Sequence, residues 1–203
     1  MSVRKKYSER CERCRMRFEL CICAEIPSLQ LATKVVVVVS KREVKIPTNT
    51  GRLATQALQN SALLVRGDQD QPYDLTEHLV EGGSHLLLYP SDDAQELTAE
   101  FAATLTRPCT LVVPDGNWRQ TSKMRRRDPG MANLQVVKIA PGRMTEYKVR
   151  KESKAEGLAT IEAIARALGV LEGEGAQASL EAVLATMVSR TLASRGLVDL
   201  ALD

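Results

Sequence analysis

Five consecutive valines, Val35 to Val39, follow Lys34. β-branched side chains suit the pleated strand. A run of them with no polar alternation is a strand buried on both faces. Such a strand belongs inside a parallel sheet with helices on either side. The sequence around it keeps to that plan. Further strands are expected at 62–65, at 85–89 (ended by Pro90), at 110–113 (broken at Pro114-Asp115-Gly116) and at 134–139. Helices are expected between and after them: 51–58 capped by Thr50 or Asn49, one running from Ser91 or Asp92 as cap through 105, one from Arg119 onward, and two at 157–168 and 179–193 joined by a link containing Gly and Glu. Strands alternating with helices give an α/β fold, a mostly parallel sheet with flanking helices. Ligands in such folds bind outside the carboxyl ends of the strands. The loops at 40–50, 90–93, 114–118 and 140–156 are therefore where a site belongs.

With 44% hydrophobic residues the 203-residue chain can bury a core, but aromatics make up only 3%, so aliphatic side chains must fill it. Each aromatic, the single Trp above all, then stands out as a candidate site residue. No apolar stretch approaches bilayer length, and the charged N-terminus lacks the apolar run of a secretory signal. A cytoplasmic location without membrane partners and without structural disulfides is expected.

Cys11, Cys14, Cys21 and Cys23 are spaced C-x2-C-x6-C-x-C. Two close pairs joined by a short loop can bring four thiolates to one tetrahedral centre, the arrangement of a structural zinc site with no position left for water. An iron–sulfur cluster and four unrelated buried thiols are the competing readings. Cys109 stands apart and reads as packing. The expected division is a cysteine segment at 1–28 and an α/β domain at 29–203.

Pro114-Asp115-Gly116-Asn117-Trp118 follows directly on a strand. Asp115 can accept a proton or orient a polar group. Gly116 permits close backbone approach or a positive φ, and Trp118 can stack on a nucleobase. A turn with an acidic helix cap and a Trp filling the sheet–helix gap explains the same residues. Beyond it, Arg119, Lys123, Arg125, Arg126 and Arg127 occur with no acid among them, and residues 1–20 hold seven Lys or Arg against three Glu. Either run is a solvated face or a phosphate contact. The position of the first beside the Asp115 turn favours a phosphate rail.

The ordered set of these features resembles the DTW-domain family, the tRNA-uridine aminocarboxypropyltransferases. It runs from the four cysteines through Thr48-Asn49-Thr50-Gly51-Arg52-Leu53, Leu88-Tyr89-Pro90-Ser91, the Asp115–Trp118 signature with Lys123-Met124 and Tyr147-Lys148-Val149-Arg150-Lys151-Glu152 to Gly157-Leu158-Ala159-Thr160-Ile161-Glu162-Ala163. It departs in two places: Asn117 replaces the signature threonine, and Ser40-Lys41-Arg42-Glu43 replaces a histidine-bearing loop. The resemblance implies a SPOUT-like fold with a knotted C-terminal half, S-adenosylmethionine as donor and N3 of a tRNA uridine as acceptor.

On that resemblance Asp115, Asn117 and Trp118 are the expected catalytic residues, with Asp115 taking the N3 proton. Thr50, Gly51, Arg52, Tyr89, Pro90, Ser91, Gly116 and Arg150 are expected around the donor, Arg52 or Arg150 meeting its carboxylate. Glu162 either meets the donor's ammonium or caps its helix. Lys41, Arg42, the basic run from Arg119 to Arg127, and Lys151 are expected on tRNA. A SPOUT-like RNA methyltransferase and a non-catalytic zinc-containing RNA-binding protein are the rival functions. A monomer or a homodimer through residues 179–193 fits the composition.

Overall fold

A computed structural model describes residues 9–68, 70, 72–140, 145–147 and 157–197. Six strands among these residues form one sheet: β1 (Lys34–Ser40), β2 (Ser61–Arg66), β3 (His85–Leu88), β4 (Gln95–Glu96), β5 (Thr110–Asp115) and β6 (Gln135–Lys138). Their order is β2-β1-β5-β3-β6-β4, and each pairing is parallel. Val35 to Val39 lie at the sheet's interior with no exposure, contributing roughly 1.5–3 kcal/mol each by leaving water. The α/β expectation holds.

Among the described residues, five helices flank the sheet: α1 (Thr50–Ala57), α2 (Ala99–Ala103), α3 (Trp118–Arg127), α4 (Thr160–Glu172) and α5 (Glu174–Ala193). The two faces are unequal. Val35, Val37, Leu111 and Val113 point into the larger core with α1, α4 and α5, while Val36, Val38 and Val112 meet Met124 of α3 in the smaller one. The cysteine segment joins the larger core through Met16, Ile22 and Ile26.

Three expectations are corrected. Ser91 and Asp92 do not cap a helix: the chain stays extended to pair Gln95 and Glu96 with Val137 and Lys138, so α2 starts only after Thr98, whose Oγ1 accepts from Phe101 N at 3.2 Å. β5 continues past Pro114 to Asp115, paired with Val39, because the fixed φ of proline suits extended backbone and only one N–H is lost at the strand's end. The link between the last two helices shrinks to Gly173. The apolar stripe of α5, Leu180, Val183, Leu184, Met187 and Val188, is buried within the chain itself, largely against α4. The knot expectation depends on the connection from β6 to α4, much of which lies outside the described residues. Among the described residues, no helix is long and apolar enough to cross a membrane.

Candidate active site and cysteine knuckle

From β1 the chain turns through α1 to β2 on one side; from β5 it turns through α3 to β6 on the other. With α1 and α3 on opposite faces, the carboxyl ends of β1 and β5 border the crevice where an open α/β sheet holds its ligands. Asp115 is the last residue of β5. It shares the face of Leu111 and Val113 and is only 5% exposed.

Its carboxylate is oriented from two sides. Asn49 Nδ2 donates to Oδ2 at 2.5 Å, and Thr160 Oγ1 donates to Oδ1. The same Asn49 caps α1, its Oδ1 accepting from Arg52 N at 2.8 Å. Gly51 makes the close approach possible: a Cβ there would stand 2.8 Å from Asp115 Oδ2 and 3.0 Å from Val37 Cγ1. Thr50 is buried beside it.

Trp118, half-buried, opens α3. Its ring meets that of Tyr89 edge-on, with centroids 6.5 Å apart and planes at 74°. The Arg125 guanidinium lies 5.2 Å from the centre of the Tyr89 ring and pairs with Asp93 at 2.5 Å. A cation over a ring face fixes the ring's orientation. Pro90 and Ser91 follow Tyr89 at the neighbouring strand end.

Asn117 serves as the cap of α3. Its Oδ1 accepts from Gln120 N at 3.0 Å, while Gln120 Oε1 accepts from Asn117 N at 2.7 Å. Asparagine caps a helix at least as well as threonine, so the departure from the signature leaves this turn intact. Gly116 has φ +155°, and a Cβ there would sit 2.7 Å from Gln120 Oε1.

Arg119, Lys123 and Arg127, four residues apart along α3, are exposed, and so is Arg126, whose Nε donates to Ser122 O at 3.3 Å. Arg125 leaves this face for Tyr89 and Asp93. Lys41 is paired with Asp68 at 2.9 Å, and Arg42 is exposed. Arg150 and Lys151 lie outside the described residues. Glu162, 4% exposed, accepts from Ala159 N, Glu146 N and Thr145 Oγ1 at 2.7, 2.8 and 2.6 Å. It caps α4 and pins residues 145–147, whose Tyr147 hydroxyl donates to Thr48 O at 2.8 Å.

The four cysteine sulfurs lie within 4.8 Å of one another, with Cys11–Cys23 at 3.5 Å and Cys14–Cys21 at 3.7 Å. A tetrahedron with metal–sulfur bonds of ~2.3 Å has edges of about 3.8 Å. Burial, with hydrogen bonds among the sulfurs adding to it, pushes the Cys23 thiol up to about 12, while backbone hydrogen bonding at Cys14 brings Cys11 down to about 6. Four sulfurs at these separations match the edges of such a tetrahedron, so these residues fit a metal ion.

Arg52, expected at the donor, points into this knuckle instead. It is 8% exposed, with Nη1 donating to Arg13 O at 2.5 Å and Nη2 to Cys14 O at 3.2 Å. Arg190 of α5 grips the other half through Cys21 O. Sequence reasoning did not assign Asn49, Thr160 or Arg190 these partners. Asn49 and Thr160 do fall within the ordered motifs, so their positions carried a signal although their contacts did not.

The DTW domain matches residues 8–192. The chain is 26% identical over 169 residues to tRNA-uridine aminocarboxypropyltransferase 2 of Drosophila melanogaster, covering 80% of this chain and 66% of that protein. It is 23% identical over 168 residues to the protein of the same name from Macaca fascicularis, covering 80% and 56%. The chain thus spans 66% and 56% of the length of these two relatives. Among solved structures, the SAM-dependent rRNA:acp-transferase Tsr3 from Vulcanisaeta distributa superposes with a TM-score of 0.50 at 15% identity, over 82% of this chain and 91% of the other. At that identity the likeness concerns the fold alone. Motifs, fold and family match agree, and the chain belongs to the DTW-domain family.

Proposed function

We propose that this chain is a tRNA-uridine aminocarboxypropyltransferase, moving the 3-amino-3-carboxypropyl group of S-adenosylmethionine to N3 of a uridine. The observation that carries this reading is the Asp115 carboxylate, buried, aimed from two sides and set at the strand ends beside the Tyr89–Trp118 pair. The curated relatives, named for this activity, support it.

S-adenosylmethionine, when bound, supplies an electrophilic γ-carbon and methylthioadenosine as leaving group. The N3–Cγ bond forms, the Cγ–S bond breaks with its electron pair returning to sulfur, and the N3 proton passes to Asp115. Uridine N3 is a poor nucleophile until that proton leaves, so a carboxylate against N3–H both orients the base and raises its reactivity. Asn49 and Thr160 hold the carboxylate at one angle. Trp118 and Tyr89 offer ring surface to a base. The first-turn amides of α1 at Thr50 and Gly51 suit a carboxylate, with Ser91 and Gly116 lining the same strand ends. Arg119, Lys123, Arg126 and Arg127 then form the phosphate contact, with Asn117 holding α3 in place.

Residues 1–28 form the cysteine segment and 29–203 the catalytic domain in this reading, with Met16, Ile22 and Ile26 of the segment packed into the domain's larger core. Zinc is the metal best matched to four thiolates, and reduced thiols suit a cytoplasmic protein. Incubation with S-adenosylmethionine and unmodified tRNA, followed by nucleoside mass spectrometry, tests the reading. A 3-amino-3-carboxypropyl adduct on uridine is expected; a methyl adduct, or no adduct, would refute it.

A further inference from the structure

The metal knuckle and Asp115 share an anchor. Arg13 O and Cys14 O accept from the Arg52 guanidinium; Arg52 N donates to Asn49 Oδ1; and Asn49 Nδ2 donates to Asp115 Oδ2. Gln56, one turn along α1, donates a second bond to Arg13 O at 2.6 Å. We infer that Arg52 is a positioning residue that couples the metal-bound state of the cysteine knuckle to the placement of Asp115.

Burying a guanidinium costs free energy that its hydrogen bonds must offset. The Nε of Arg52 is buried with no hydrogen-bond partner among the described residues. Its bonds to Arg13 O and Cys14 O are thus what holds it inside, with Pro47 O a longer third contact at 3.5 Å. When the knuckle opens those carbonyls move, and the guanidinium must follow or swing to solvent. Either motion acts on the first turn of α1, where Gly51 is packed closely against Asp115 and Val37. That tight contact passes a small shift of α1 on to the carboxylate.

Arg190 provides the internal comparison. It grips the other half of the knuckle, donating to Cys21 O and pairing with Glu25. It belongs to α5, and the bonds it makes do not lead to Asn49. Arg52 and Arg190 each hold the cysteine knuckle, and of these two Arg52 continues to the site.

The test uses zinc-reconstituted protein with Arg52→Lys and Arg190→Lys. Lysine keeps the charge but loses the planar fork. Both variants should keep stoichiometric metal and release it to a chelator faster, by roughly 10-fold or more. Only Arg52→Lys should lower kcat, by about tenfold, with the KM for S-adenosylmethionine unchanged, and only it should shift the emission of the single tryptophan, Trp118. Chelation of the wild-type protein should shift that emission too, and should cease to do so in Asn49→Ala. Equal kcat in the two arginine variants, or wild-type emission indifferent to chelation, would overturn the coupling. The kcat comparison rests on the proposed transferase reading, whereas metal release and Trp118 emission do not. A chain that transfers nothing would defeat the function alone and leave the coupling to be decided by those two readouts. If chelation unfolds the chain, as far-ultraviolet circular dichroism would reveal, the two arginine variants, compared with metal bound, still decide.

Discussion

The cysteine knuckle draws its four ligands from the 13 residues between Cys11 and Cys23, whereas the crevice at Asp115 is assembled across the chain. Asn49 and Thr160 reach Asp115 from 66 and 45 positions away. The first is a local object whose geometry follows from spacing. The second exists only because β1 and β5 are neighbours in the sheet and their helices leave toward opposite faces. A local site needs a metal to complete it; a distributed site needs the whole fold, and its parts are held by caps and clasps that look ordinary one at a time.

Substitutions separate the two regions. The largest effect on stability is expected from Cys14→Ser, because Cys14 is buried and its segment places Met16, Ile22 and Ile26 in the larger core. Loss of metal and about 3–5 kcal/mol of stability are expected by metal analysis and thermal unfolding. An unchanged melting temperature would mean that the knuckle is an appendage. Next, Trp118→Ala should weaken tRNA binding by roughly 1–3 kcal/mol while leaving the fold and metal content intact, as titration would show. Gly51→Ala sharpens the contrast further. It adds one methyl where the nearest atom belongs to the Asp115 carboxylate, so stability should fall by about 1–3 kcal/mol in denaturant titrations with metal retained, and the proposed transfer should slow with it. The smallest effect belongs to Asn117→Thr. The cap of α3 survives it, so stability should change by less than about 0.5 kcal/mol, against about 1 kcal/mol for Asn117→Ala.

The same contrast explains what could be read from sequence. The valine run announced a two-sided sheet, the cysteine spacing a metal site and the Asp115–Trp118 segment a strand end, because each is encoded within a few residues. Strand order was not encoded that way, nor was the edge pairing of Gln95 and Glu96 that delays α2. The place of Arg52 beside Thr50 and Gly51 makes it, with Arg150, a candidate for the donor's carboxylate. Its length and the nearby Arg13 and Cys14 carbonyls send it the other way, into a contact 38–39 residues distant. Sequence places Arg125 on the basic face of α3, yet Asp93 and Tyr89 draw it off. Long side chains are the hardest to place from sequence, because they reach several neighbours and tertiary structure chooses among them.

The most direct measurement is single-turnover transfer by Asp115→Asn, with S-adenosylmethionine binding followed in parallel by calorimetry. Donor affinity should stay near that of the wild-type chain while the transfer rate falls by about 10²–10⁴-fold. Transfer at the wild-type rate would contradict the role of Asp115 as the group that takes the uridine proton.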